Sequence, residues 1–170
     1  MQHVLTAFLN IVLLRTGPDT LPESRLLLSF ACIFYLVVNV ISILLTEAVD
    51  SAFLLLMTDL LLMVAWAFTI LIIFEARQRL TQTLTALLGA GAVLQVFILP
   101  LSLGPPVDQQ TEGLVLLRAL GFLLILLWAV AVYGQIIARA INKGMGAGVL
   151  LSTLYFLLSF QLAAQLLPAR

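Results

Sequence analysis

The sequence predicts an all-α polytopic membrane protein, a helix bundle of five transmembrane helices preceded by a short N-terminal amphipathic interfacial helix. Three observations carry this. Only 9% of the 170 residues are charged and 63% are hydrophobic, whereas soluble domains carry about 25% charged residues. The apolar residues fall in five runs, each near the ~20 residues needed to cross ~30 Å of hydrocarbon. The basic residues segregate to alternate connections between those runs. The chain reads as a single membrane domain, 1–170.

The first element, Gln2 to Arg15, sets His3, Thr6 and Asn10 on one helical face and Val4, Leu5, Phe8, Leu9 and Val12 on the other. It is too short to span, so it is expected to lie in the membrane interface (residues 2–15). Pro18 and Pro22 then turn the chain into the first span. The spans are expected at about Leu26–Thr46, Ala52–Phe74, Thr83–Leu103, Gly113–Ile136 and Met145–Leu167, that is 26–46, 52–74, 83–103, 113–136 and 145–167. Glu47 to Ser51 is read as an acidic turn and Glu75 to Gln82 as a basic one. Pro105 and Pro106 stop the third span, and Arg139 to Gly144 closes the fourth, with Gly144 placed at the helix end. The first fourteen residues hold no Lys or Arg, so no cleavable leader is expected.

Charge decides the expected orientation. Arg15, Arg25, Arg77, Arg79, Arg139 and Lys143 fall on the N-terminal side; Arg118 and Arg170 fall on the other, with Glu47, Asp50, Asp108 and Glu112. The positive-inside rule puts the N-terminus in the cytoplasm and the C-terminus on the opposite side, in the periplasm or outside.

Each span carries a strongly polar residue at nearly one depth, in the outer half: Asn39, Asp59, Gln95, Arg118 and Gln161, with Gln165 one turn beyond. A charge at mid-span costs roughly 2.5–3.5 kcal/mol on the insertion scale. These residues are therefore expected to face inward and meet, with Asp59 and Arg118 forming an ion pair and the amides filling its remaining donors and acceptors. Such a layer is either a hydrogen-bonded plug holding the bundle together or a site for a polar ligand, ion or partner helix. Gly89 and Gly91 in the third span and Gly144 and Gly148 at the start of the fifth are small residues expected to let helices pack closely. Trp66 and Trp128 are read as core residues and Tyr133 as an interfacial anchor. Cys32 reads as a small hydrophobe.

The composition excludes several classes. Zero net charge gives no pull toward nucleic acid. His3 is the only histidine, so no two-histidine haem site, histidine-rich metal site or nucleophile–His–acid set can be assembled within one chain. No phosphate-binding glycine loop, HExxH or CxxC occurs. Neither a cofactor nor a metal is expected, nor an enzyme acting alone, although chemistry by a carboxylate alone, at Asp59, stays open.

The stretch Leu127-Trp128-Ala129-Val130-Ala131-Val132-Tyr133-Gly134, followed by Lys143-Gly144 opening the last span, and the Gly17-Pro18 segment before the first resemble the Yip-type five-span membrane proteins and their small bacterial relatives. The resemblance covers the layout of most of the chain and few motifs. It implies a five-helix fold and, from the eukaryotic members, vesicle trafficking. The chain lacks their long soluble N-terminal region, and no catalytic residue carries over.

The expected function is an accessory, assembly or scaffold subunit of a bacterial cell inner membrane, acting through helix–helix contacts in the lipid bilayer, with a membrane-protein partner or as a homo-oligomer. The alternatives are an oligomeric transporter or channel-like component using the polar layer around Asp59 and Arg118, or a lipid-modifying enzyme with a pocket opening to lipid beside Asp59. A water-filled cavity reaching Asp59 would favour the transporter; a dry, fully paired layer would favour the scaffold.

Overall fold

The computed structural model describes residues 2–45, 49–103 and 111–166, with the side chains of all of these but 2–5 and 49–51. The described residues are helical and contain no strand. The helices are α1 (Gln2–Val12), α2 (Arg25–Leu45), α3 (Val49–Ile73), α4 (Leu80–Ser102), α5 (Glu112–Ala140) and α6 (Met145–Leu166). Five of them, α2 to α6, are long and apolar enough to cross a membrane. Their exposed positions are largely apolar, Leu26 at 84% and Leu61 at 70% exposure among them, a surface suited to lipid rather than water.

The span boundaries lie close to those expected, with three shifts, one of them the start of α4 at Leu80 rather than Thr83. α5 runs on to Ala140, because Ile137, Ala138 and Ala140 remain buried while Arg139 points outward. α3 starts at Val49, so Asp50 and Ser51 are helical rather than part of a turn. Glu47, the loop residues 104–110 and the span ends Thr46 and Leu167 lie outside the described residues.

Helix α4 is the centre of the bundle. It packs against α1, α2, α3 and α5, and every residue from Thr83 to Ala90 is buried. Small side chains make this possible, and the buried hydroxyls of Thr83 and Thr85 bond to the carbonyls of Arg79 and Thr81 one turn back. The tightest pair is α5 with α6. A Cβ on Gly148 would collide with the carbonyl oxygen of Gly134, and one on Gly134 would lie 2.9 Å from the Val149 nitrogen. The two backbones therefore touch, and Ser152 Oγ bridges them by donating to the Val130 carbonyl at 2.8 Å. Gly144, by contrast, has no atom within 4 Å of the Cβ it lacks. The expectation that it packs is corrected: it precedes α6 in open space. Nor does it end α5; Asn142 does.

Three helices close at one end of the bundle by the same device. Leu14, Glu75 and Asn142, just past α1, α3 and α5, take φ of 61°, 55° and 52°. In each case the next residue bonds to the carbonyl five residues back: Arg15 to Asn10, Ala76 to Leu71, Lys143 to Ala138. This is the Schellman arrangement, made here without glycine. Arg79 secures the end of α5 further, its guanidinium donating to the carbonyls of Arg139 and Ala140 and to the Asn142 amide oxygen.

Helix α1 does not turn its apolar face only to lipid. Phe8, Ile11 and Val12 are at most 1% exposed, and the Phe8 ring fills the space left by Gly89 on α4. The interfacial-helix expectation is corrected to that extent: the bundle offers a fitted notch that lipid cannot match. Three side chains latch the following turn. Trp128 Nε1 donates to the Val12 carbonyl at 2.9 Å, Gln135 Nε2 to those of Leu14 and Thr16 at 3.2 Å, and Gln82 Nε2 to that of Leu21 at 2.8 Å.

The glycine contact gives a direct test. Gly148→Leu is expected to cost about 1–3 kcal/mol of stability, because the neighbour is backbone and cannot yield. Gly144→Ala is expected to change stability by no more than about 0.5 kcal/mol. Thermal unfolding in detergent micelles measures both, and equal effects would refute the α5–α6 contact.

Candidate functional site

Asp59 stands ten residues past the described start of α3, and its carboxylate takes three hydroxyl hydrogen bonds. Tyr35 Oη of α2 donates to Oδ2 at 2.7 Å. Tyr155 Oη and Ser159 Oγ of α6 donate to Oδ1 at 2.9 and 2.8 Å. Tyr155 and Ser159 are four apart and so share one face of α6. Tyr35 and Asn39 are related in the same way on α2, and Asn39 Nδ2 donates to the Tyr35 carbonyl at 2.8 Å. A carboxylate offers about four acceptor positions; three are filled.

The expected Asp59–Arg118 ion pair does not form. The salt bridge among the described residues is between Arg139 and Asp19, at 3.6 Å on the surface. Arg118 Nε donates instead to the Leu101 carbonyl at 3.0 Å, between α5 and α4. The reason is helix order: α3 packs on α2, α4 and α6, whereas α5 packs on α4 and α6, so equal depth does not bring Asp59 and Arg118 together. Gln161 and Gln165 are corrected as well. Both are exposed, because α6 turns Tyr155 and Ser159 inward, and residue 161, two positions on from Ser159, faces away. Gln95 does point inward, its Nε2 donating to Ser42 Oγ at 2.9 Å and joining α4 to α2.

Two cavities border this carboxylate. One, of about 260 Å³, lies between α2, α3 and α6, with Ala52, Leu55, Ser159 and Leu162 among its walls. The other, of about 170 Å³, lies between α2, α4, α5 and α6, beside Gly91, Gln95, Tyr133, Tyr155 and Phe156. Tyr35, Asn39 and Asp59 line both. Tyr133, expected as an interfacial anchor, is instead 6% exposed and within the core. Its hydroxyl occupies room left by Gly91, where a Cβ would stand 2.7 Å from Oη and 3.1 Å from the Tyr35 ring.

The site thus gathers all three tyrosines of the chain around Asp59. Sequence reasoning weighed charges and amides and passed over the hydroxyls. The signal available was the spacing: Tyr35 with Asn39 and Tyr155 with Ser159 each mark a helix face at the depth of Asp59. Among the described residues no group of three His, Cys, Asp or Glu is placed to hold a metal ion.

Compared with known proteins, the chain matches no family model, no curated protein and no solved structure.

Double-mutant cycles test the wiring. Asp59→Asn and Tyr155→Phe are expected to couple by about 1–3 kcal/mol, as a hydrogen bond to a charged group does. Asp59→Asn and Arg118→Gln are expected to add within about 0.5 kcal/mol. Unfolding in micelles measures both, and the reverse pattern would restore the ion pair.

Proposed function

We propose that this chain is a multi-pass membrane protein that binds a small cationic ligand at Asp59, as a transporter or channel-like component of a bacterial inner membrane with a cytoplasmic N-terminus. The observation that carries this reading is a carboxylate with no basic residue at salt-bridge distance among the described residues, one acceptor position open, and a cavity on either side. A hydrogen-bonded plug would be dry and charge-balanced. Hydroxyls satisfy the carboxylate's geometry yet leave its charge in place, and a charge retained at such depth marks a ligand or ion path. A cation entering either cavity would meet that charge where the low dielectric strengthens it.

Cysteine accessibility tests this in cells or proteoliposomes. With Cys32 replaced by Ala, Asn39→Cys and Ala163→Cys are expected to react with membrane-impermeant thiol reagents from the side opposite the N-terminus, whereas Leu61→Cys on the exposed face is not. A cationic reagent is expected to outpace a neutral one by about tenfold, the effect of one unit charge ~10 Å away at an effective dielectric of ~20. Asp59→Asn removes that preference. Unreactive cavity cysteines would return the layer to a structural plug.

The exposed Gln161 and Gln165 favour a second reading alongside the first. Two amides one turn apart on an apolar face are a docking stripe for a partner helix, which supports assembly with another membrane protein or a second copy. Gln161→Leu with Gln165→Leu is expected to reduce cross-linked oligomer or co-purifying partner at unchanged monomer stability. An unaltered cross-linking pattern would remove the stripe from the account.

A further inference from the structure

The smaller cavity differs in kind from the larger one. Its walls carry Tyr35, Tyr133, Tyr155 and Phe156, with Asp59 on one side and the amide of Gln95 among the rest. The rings form one cluster: Tyr133 lies 5.8 Å from Tyr155 and 5.3 Å from Phe156, and Tyr155 meets Phe156 edge-on at 5.3 Å. The Tyr133 side chain is 6% exposed and its ring completes this wall. The cavity thus joins an aromatic lining to a carboxylate with no basic residue at salt-bridge distance among the described residues.

These features discriminate between cations. Hard divalent ions such as Ca²⁺ and Mg²⁺ need six or more oxygens at roughly 2.0–2.6 Å, a shell far tighter than this space. A cavity of about 170 Å³ is instead close to the ~150 Å³ that accommodates a benzene-sized molecule. Aromatic faces around a carboxylate attract an organic cation, whose spread charge is held by the ring quadrupoles within ~6 Å and whose bulk fills the space. Given the reading of Asp59 as a ligand-binding anion, on which this step rests, we infer that the ligand is a small alkylammonium, its nitrogen end among the rings and Asp59 and its polar end toward Asn39 and Gln95.

Purified protein in nanodiscs, titrated with choline and with tetramethylammonium at constant ionic strength and followed by thermal shift and calorimetry, tests the inference. Both cations are expected to bind saturably and to raise the unfolding temperature, while sodium at equal concentration does not. The neutral carbon isostere of choline is expected to bind at least about tenfold more weakly, and Asp59→Asn to abolish binding of the cations. Phe156→Leu is expected to weaken them by about threefold to tenfold, whereas Tyr133→Phe, which keeps the ring, retains most of the affinity. Each variant is first shown to elute as wild type and to keep its helical circular dichroism. Equal binding of the neutral isostere, or binding indifferent to both Asp59→Asn and Phe156→Leu, would overturn the inference. Failure of both cations to bind, with cationic thiol reagents still favoured at Asn39→Cys through Asp59, would sink the alkylammonium assignment alone. Loss of that preference as well would sink the site reading with it.

Discussion

A carboxylate set into an apolar bundle has to be satisfied where it stands, and the meeting of α2, α3 and α6 follows from that. Taking such an ion out of water costs several kcal/mol even after relaxation. Three hydroxyls from two helices converge on Asp59, and they are the polar ties of α3 to its neighbours among the described contacts. The choice of hydroxyls over a guanidinium has a chemical meaning. An arginine would have cancelled the charge; tyrosine and serine hold the group in position and leave its field directed into the adjoining cavities.

Around that point the bundle divides into a dense part and a sparse one. α4, α5 and α6 are joined by glycine contacts and by short polar bridges, and α1 with its following turn is latched to α4 and α5 by Gln82, Trp128 and Gln135. α3 is the most loosely packed of the long helices. Both cavities open up on its Asp59 side, where side chains from α2 and α6 are too few to fill the space. The densest packing thus lies away from the carboxylate.

Much of this was legible in the sequence, for identifiable reasons. Hydrocarbon demands length and apolarity, so five long apolar helices could be read directly, their described ends to within about four residues. Sequence position along each helix was legible too, and Asn39, Asp59 and Gln95 do line one cavity. What depth does not encode is rotation about each helix axis or the order of helices around the bundle. Arg118 sits at the right height on a helix that does not neighbour α3, and Gln161 at the right height on the wrong face. The amphipathic pattern of 2–15 was visible, but whether Phe8 met lipid or protein depended on the notch at Gly89, a contact eighty-one residues away in the chain. Tyrosines in an apolar span read as packing, and only their convergence shows that they serve a carboxylate.

The three closures at Leu14, Glu75 and Asn142 all lie at one end of the bundle, beside the clasp made by Arg79. Rods pinned at one end gain freedom toward the other. From Glu75 to Asp59 the lever along α3 is ~24 Å, at ~1.5 Å per residue, so a tilt of only ~5° about that pivot would carry the carboxylate ~2 Å. A hydrogen bond does not survive such a displacement. The same rivet that makes the bundle rigid at its base therefore lets a slight fanning of one helix unlatch the partition between the two chambers.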